Sequence, residues 1–149
     1  MDGQTKSFPK GITGLAIAQQ FGATLDLLAV QVNGLVYDLT RPIEVDATLH
    51  FLRWEDEAGK QLFWHSSAHL LAAALSICYP GVTFGIGPPI AEGFYYDVDL
   101  GPYPTNSLDL AAIEREMMRL AQRKDPFVRR VVSKQEAIAF FTKKKILIN

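Results

Sequence analysis

The run of residues 64–75 constrains the fold of this chain more than any other stretch. It is rich in Ala and Leu, which favour helix, and it places His65 and His69 four residues apart. Residues at i and i+4 lie on the same face of a helix, so both imidazoles should point into one space. The opposite face has apolar residues at helical spacing and is predicted to face a core: Ala68, Leu71, Leu75 and Cys78.

A pair of histidines on one helix face can ligate a metal, shuttle protons or hold a phosphate or hydroxyl. Such pairs also often lie on a polar helix face without any function. Ala72 and Ser76 continue the histidine face, and their small side chains leave room for a ligand. We expect no bound metal, because structural zinc needs four protein ligands and catalytic zinc usually three, whereas Cys78 lies on the opposite face from both histidines.

The composition indicates a globular protein of one ordinary domain or two small ones. The chain has 149 residues, of which 48% are hydrophobic and 21% charged. No apolar run reaches the roughly 18 residues that span a bilayer, and the first residues lack the apolar core of a signal peptide. The single cysteine excludes an internal disulfide. We therefore expect a cytoplasmic protein that does not associate with membranes.

Positive charge is concentrated in residues 114–149, which hold ten Lys or Arg against four Asp or Glu. A basic end could approach a nucleic-acid backbone, but solvated helix faces explain the charge equally simply, and we prefer that explanation. Arg115, Arg119 and Arg123 recur every four residues, which predicts an exposed stripe on a helix.

The first sixty residues predict a small α+β unit. Thr13 can cap a helix over residues 14–21 that ends at Gly22. The dipeptide Asn33-Gly34 between two apolar runs predicts a hairpin with a two-residue turn, and residues 48–53 predict a further strand with His50 exposed. Residues 55–60 are expected to form a charged turn or linker. Five residues are predicted to lie in or near the core of this unit: Ile17, Phe21, Val30, Val32 and Val36.

The second unit predicts the order helix, strand, helix, strand, helix from Gln61 onward. The histidine helix should stop at residues 79–81, and residues 94–98 and 127–132 should form the strands. Ser107 should cap a helix that runs to about Lys124, and Ser133 and Glu136 match a capping box for the last helix. Four residues should form the core face of the helix after Ser107: Leu110, Ile113, Met117 and Leu120.

Several stretches together resemble one family. Residues 8–13 (FPKGIT), 32–34 (VNG) and 38–43 (DLTRPI) resemble a TGS domain, a ubiquitin-like β-grasp module. Residues 65–71 (HSSAHLL), 86–88 (IGP) and 93–97 (GFYYD) resemble the second domain of bacterial-type threonyl-tRNA synthetases. The resemblance implies an α+β chain with a TGS domain in residues 1–60 and the N-terminal part of an α/β editing domain in residues 61–149.

In that family the second domain removes serine wrongly attached to the threonine tRNA. The resemblance implies that His65 and His69 position the substrate and handle water, and that Gly87, Pro88, Gly93 and Tyr95 contact the substrate. The expected partner is the acceptor end of threonine tRNA. The longer synthetase is an ATP-dependent ligase and is expected to be a homodimer. ATP, magnesium and zinc are implied only for its catalytic domain, and no cofactor is expected in residues 1–149.

The chain also departs from the family pattern. A later C-x-x-x-H pair and a lysine in a Gly-Glu-x-Tyr-Lys stretch are not recognisable, and only residues 1–3 precede the second β-grasp strand. We therefore expect a fragment with an exposed sheet edge, no threonylation and little or no seryl-tRNA hydrolysis. The alternative is a non-catalytic TGS-containing module that binds RNA or protein. A free-standing trans-editing hydrolase would need a complete site.

Overall fold

A computed structural model describes residues 3–23 and 26–143, and these form a mixed α+β structure. The chain divides into two compact units, Met1–Phe63 and Trp64–Asn149. Among the described residues no helix is both long and apolar enough to cross a membrane.

The first helix of unit 1 begins and ends as predicted, to within one residue. Helix α1 covers Gly14–Gln20, directly after strand β1 (Ile12–Thr13). The Thr13 side chain accepts a hydrogen bond from the Ala16 amide, which satisfies one of the free N–H groups of the first turn. Gly22 follows the C-cap with φ of 65°, a conformation that glycine adopts without steric cost.

The predicted hairpin is confirmed and supplies two of the three strands of an antiparallel sheet in the order β3-β2-β5. Strands β2 (Ala29–Val32) and β3 (Leu35–Tyr37) are joined by the two-residue turn Asn33-Gly34, whose φ angles are 51° and 82°. Strand β5 (Leu49–Leu52) pairs with the other edge of β2, and β4 (Pro42–Ile43) pairs separately with β1. The Asn33 side chain also accepts from the Thr48 amide at 2.9 Å, which links the turn to the start of β5.

The core of unit 1 contains most of the residues expected there, but Val36 is an exception. Ile17, Val30 and Val32 are buried, and Phe21 packs against them as a half-buried ring. Val36 is 44% exposed, so its assignment to the core was wrong. The register explains this, because Val36 pairs with Gln31 and therefore points to the outer face, whereas Tyr37 pairs with the buried Val30.

The long helix α2 (Glu57–Cys78) begins earlier than expected. Residues 55–60 were predicted as a turn or linker, but Glu57–Lys60 form the first helical turn, with Glu57 where the helix dipole favours an acid. Gly59 is tolerated in this turn because the Arg53 carbonyl lies against it, leaving no space for a side chain. The helix stops where predicted, before the turn around Pro80 and Gly81.

In unit 2 the apolar face of α2 packs as predicted. Ala68 and Leu75 are buried, Leu71 and Cys78 are half-buried, and Leu75 belongs to a cluster with Ala74, Tyr79 and Ile113. The buried Tyr79 donates from its hydroxyl to the Ser107 carbonyl and accepts from the Asp109 amide at 2.7 Å. This ring therefore fixes the C-terminal end of α2 to the start of the next helix.

Between the helices lie two short antiparallel pairs rather than one longer strand. Strand β6 (Thr83–Phe84) pairs with β9 (Val98–Asp99), and β7 (Pro89–Ile90) pairs with β8 (Gly93–Phe94). The predicted strand over residues 94–98 is wrong in the middle, because residues 95–97 pair with no strand among the described residues. The chain switches there from one partner to another, and the simple alternation of helices and strands is lost.

The cap and one core residue of helix α3 also differ from prediction. Helix α3 covers Leu110–Gln122, and Asp109 is its N-cap, accepting from the Ala112 amide. Ser107 instead ends a 3-10 turn (Thr105–Ser107) and donates to the Pro104 carbonyl. Ile113 is buried and Met117 and Leu120 pack on the cluster as expected, but Leu110 is 73% exposed. Leu108, just before the cap, packs on the cluster instead.

The chain after α3 confirms one motif and contradicts another. Ser133 and Glu136 form the predicted capping box at the start of α4 (Lys134–Lys143), with the Ser133 amide donating to Glu136 at 2.8 Å and the Glu136 amide donating back to Ser133. The predicted strand over residues 127–132 is absent, because within the described residues this segment pairs with no other strand. Strand propensity alone cannot hold an extended segment without a hydrogen-bonded neighbour.

Candidate functional site

His65 and His69 meet on the solvent side of α2. Their Nε2 atoms are 3.1 Å apart, and the ring planes are nearly perpendicular, at 86°, with centroids separated by 4.6 Å. Both residues are exposed, while Ala68 and Leu75 on the other side of the helix are buried. The two imidazoles therefore form a hydrogen-bonded pair that a ligand can reach from solvent.

The 3.1 Å contact limits the protonation states of the pair. One Nε2 must carry the proton and donate, and the other must be bare and accept. Two imidazolium rings cannot keep this geometry, because both nitrogens would be donors and the positive charges would repel each other. The pair therefore holds a single proton between its facing nitrogens and offers a site for taking up or releasing a proton.

The electrostatics of the pair favour a neutral His69. Partial burial lowers the pKa of His69 below its ordinary value of 6.5, and the charge of His65 lowers it further. A neutral imidazole at pH 7 can accept a hydrogen bond or a proton from water. When His69 is the acceptor, the lone pair on its Nε2 is already hydrogen-bonded to His65. A water molecule that uses it must therefore displace the contact between the rings.

The loop residues assigned to substrate contact lie in different surroundings. Gly87 lies beneath the ring of Tyr96, and a Cβ on Gly87 would come within 2.6 Å of that ring, so its open face is already filled from within the chain. Pro88 and Gly93 are half-buried around the β7–β8 hairpin, where Gly93 has φ of 126°. Tyr95 is 50% exposed and is therefore available to a ligand.

Trp64 connects the histidine helix to this hairpin. Its ring lies 6.3 Å from that of Phe94, measured between centroids, and these two residues immediately precede His65 and Tyr95. Tyr96 contacts Phe84 edge-on at 5.4 Å and covers Gly87. Sequence reasoning missed Trp64 and Tyr96, because nothing in local spacing predicts a contact across the thirty residues between Trp64 and Phe94.

The surroundings of the histidine pair can be compared with the ligand groups of metal sites. Throughout residues 3–23 and 26–143, no three His, Cys, Asp or Glu side chains are grouped as metal ligands would be. Cys78 is a half-buried free thiol that packs on the core cluster of unit 2. The two imidazoles can position polar groups and exchange protons.

Comparison with known proteins gives a consistent set of relatives. The chain is 49% identical over 142 residues to a threonine–tRNA ligase of Bacteroides fragilis, which covers 94% of this chain and 22% of the relative. It is 46% identical over 146 residues to the threonine–tRNA ligase of Cytophaga hutchinsonii, and the match covers 97% of this chain and 23% of the relative. It is 49% identical over 143 residues to the threonine–tRNA ligase of Porphyromonas gingivalis, and the match covers 94% of this chain and 22% of the relative. No family model matches the chain.

These similarities relate the chain to the aminoacyl-tRNA ligases. More particularly, it is homologous over nearly its whole length to the N-terminal region of threonine–tRNA ligases, the threonyl-tRNA synthetases. The chain spans less than a quarter of the length of the relatives described above.

Proposed function

We propose that this chain handles the charged end of threonine tRNA, with a TGS unit in residues 1–60 and part of a seryl-tRNA editing domain in residues 61–149. The observation that supports the proposal most directly is the exposed pair of His65 and His69, joined at 3.1 Å, in a chain homologous to threonine–tRNA ligases. We propose that this activity takes place in the cytoplasm. ATP, magnesium and zinc chemistry would belong to other parts of the longer relatives.

Discrimination between threonine and serine explains why such a domain is needed. Serine lacks one methyl group, and a missing methyl or methylene offers a binding pocket only about 1–3 kcal/mol of discrimination. A ligase that relied on binding alone would therefore attach serine to a measurable share of its tRNA. A second site that hydrolyses the seryl ester removes this error.

In the proposed reaction the histidine pair acts on a water molecule beside the seryl ester. The water oxygen bonds to the ester carbonyl carbon, and the bond from that carbon to the ribose oxygen breaks. The water proton passes through His69 Nε2 and ends on the ribose hydroxyl, so the products are serine and uncharged tRNA. A neutral His69, with its lowered pKa, suits the step in which the proton is accepted.

The surroundings of the pair suggest how a substrate would be held. The small residues Ala72 and Ser76 continue the histidine face, and the Ser76 hydroxyl donates to the Ala72 carbonyl within the helix. Tyr95 is exposed and could contact the adenosine, while Tyr96 over Gly87 would shape the wall of the site. In this proposal Gly87 contributes by admitting the Tyr96 ring and makes no direct contact with the ligand.

The experiment uses a seryl-adenosine analogue in which an amide replaces the hydrolysable ester. Imidazole resonances of the 149-residue chain are followed by NMR during titration with this compound. We expect the His65 and His69 signals to shift and saturate, and binding to be lost in His69→Ala. The matched control is His50→Ala, since His50 is also exposed but belongs to unit 1 and contacts Asp56.

Unchanged His65 and His69 signals at saturating analogue, with the fold intact, would contradict the proposal. That result, together with tRNA binding that survives His69→Ala, would favour the non-catalytic RNA-binding module instead.

A further inference from the structure

The segment of residues 123–134, termed here the basic segment, has a surplus of cations that no nearby acid balances. It contains Arg123, Lys124, Arg129, Arg130 and Lys134, against the single acid Asp125. Arg123 pairs with Asp125 at 2.7 Å. Within the described part of the chain, the other four cations make no ion pair, and the whole segment is exposed.

Helix α3 just before it provides an internal comparison. It contains two acids and two arginines, namely Glu114, Arg115, Glu116 and Arg119. Arg119 is held by both oxygens of Glu116, with Nη2 at 2.6 Å, and this contact lowers the pKa of Glu116. The helix thus balances its charge internally, as a solvated face commonly does, whereas the basic segment does not.

The basic segment also exposes large apolar side chains between its cations. Phe127, Val128 and Val131 are 72%, 77% and 78% exposed. No backbone hydrogen bond joins residues 125–132 to any other described residue. Isolated exposed apolar residues are normal, but several of them close together on a segment with no hydrogen-bonded neighbour are typical of a surface that contacts a partner.

Charge decides which partner fits. We propose that the basic segment binds RNA, with Arg129 and Arg130 on backbone phosphates and Phe127 against an unstacked base. Guanidinium groups match phosphate oxygens bidentately, and an aromatic face accepts any base by stacking. A second copy of this chain fits less well, because antiparallel pairing of residues 127–132 with the same residues of the copy, centred on them, would place Arg129 opposite the copy's Arg130. Like charges directly opposite are destabilising.

The inference rests on the proposed function in one respect, namely that tRNA is the RNA which the chain is expected to meet. The test measures fluorescence anisotropy of labelled, uncharged threonine tRNA with the 149-residue chain across a series of salt concentrations. For the double variant Arg129→Gln/Arg130→Gln we expect about tenfold weaker binding and a salt slope reduced by about 2, since each lost phosphate contact removes about one unit. The control Lys6→Gln/Lys10→Gln removes the same charge from unit 1 and should bind as the wild type does.

Two further variants separate charge from stacking. Arg129→Lys/Arg130→Lys keeps the positive charges and should retain the wild-type salt slope. Phe127→Ala should weaken binding roughly tenfold without changing the slope, because base stacking involves no counterion release. All three positions are exposed and outside helices and strands, so far-UV circular dichroism should match the wild type.

Equal tRNA affinity for wild type and Arg129→Gln/Arg130→Gln would overturn the inference, as would a wild-type chain that binds no tRNA at low salt. Tight binding to poly-glutamate that the same variant loses would assign the segment to an acidic protein, and would overturn it too. None of these outcomes bears on the seryl-adenosine experiment, because that analogue has no RNA chain. Failure of the inference and failure of the proposed function can therefore be distinguished.

Discussion

The backbone of Gly59 lies directly against the carbonyl group of Arg53, and a Cβ on Gly59 would be 1.9 Å from the carbonyl oxygen. Two backbone atoms are involved, so neither can move aside as a flexible side chain could. The first turn of α2 and the end of the preceding strand can pack this closely only when residue 59 has no side chain.

Gly59→Ala should therefore destabilise the protein although alanine favours helix by about 1 kcal/mol over glycine. We expect a loss of about 2–3 kcal/mol in the free energy of unfolding, because the backbone must shift to remove the clash. Urea unfolding followed by circular dichroism measures this. Ala73→Gly, at an exposed site of the same helix, should cost only about 1 kcal/mol and calibrates the intrinsic helix term. A stabilised Gly59→Ala would show that the close approach is not maintained in solution.

His69 should titrate below the ordinary histidine pKa of 6.5. Burial is the larger cause and the charge of His65 the smaller one, so removing His65 should raise the pKa of His69 without returning it fully to 6.5. NMR titration of the imidazole protons in the wild type and in His65→Ala measures both values. An identical pKa in the two proteins would mean that the rings do not interact.

The same pKa shift should make stability depend on pH. Because folded His69 resists protonation, the unfolded chain binds more protons between the lowered pKa and 6.5, so stability is full above 6.5 and declines as pH falls through that window. Urea midpoints at pH 7.5 and 5.5 should therefore differ more for the wild type than for His69→Ala. Equal pH dependence in both would remove His69 as the cause.

Asn33 should stabilise the β2–β3 hairpin in two separable ways. Its φ of 51° suits Asn or Gly, and its side chain accepts from the Thr48 amide at 2.9 Å. Asn33→Gly keeps the backbone conformation and should cost about 1 kcal/mol for the lost hydrogen bond. Asn33→Ala loses both and should cost about 2 kcal/mol. If the two variants unfold at the same urea concentration, the backbone conformation contributes nothing measurable.

The chain alone should catalyse no threonylation and little or no hydrolysis of seryl-tRNA. Efficient hydrolysis needs water and ester held to within about an ångström of the productive geometry, and two exposed histidines provide little positioning. A turnover assay with seryl-tRNA measures this directly. Clear hydrolysis that His69→Ala abolishes would show that these 149 residues already contain a sufficient site.

Local sequence patterns predicted the features whose interactions are themselves local. The Thr13 cap, the Asn33-Gly34 turn and the capping box of Ser133 and Glu136 each involve residues no more than three apart. The face shared by His65 and His69 belongs to the same group, because helix geometry alone brings residues i and i+4 together.

The errors occurred where distant residues decide the structure. Residues 55–60 were predicted as a turn or linker, but α2 already begins at Glu57. The Arg53 carbonyl packs against Gly59 and makes glycine necessary in that first turn. Ser107 was predicted as the cap of α3, but Asp109 holds that position. The Tyr79 hydroxyl, about thirty residues earlier, hydrogen-bonds to the backbones of both residues and fixes this arrangement.

By itself the sequence determined the helices, the central hairpin and the histidine pair, because propensity, capping and helical spacing act over a few residues. Only the tertiary structure decided that Val36 points outward, that Tyr96 covers Gly87 and that residues 127–132 form no strand among the described residues. Burial and strand pairing depend on which surfaces meet after the chain has folded. That information is distributed over residues far apart in the sequence and cannot be read from any one stretch.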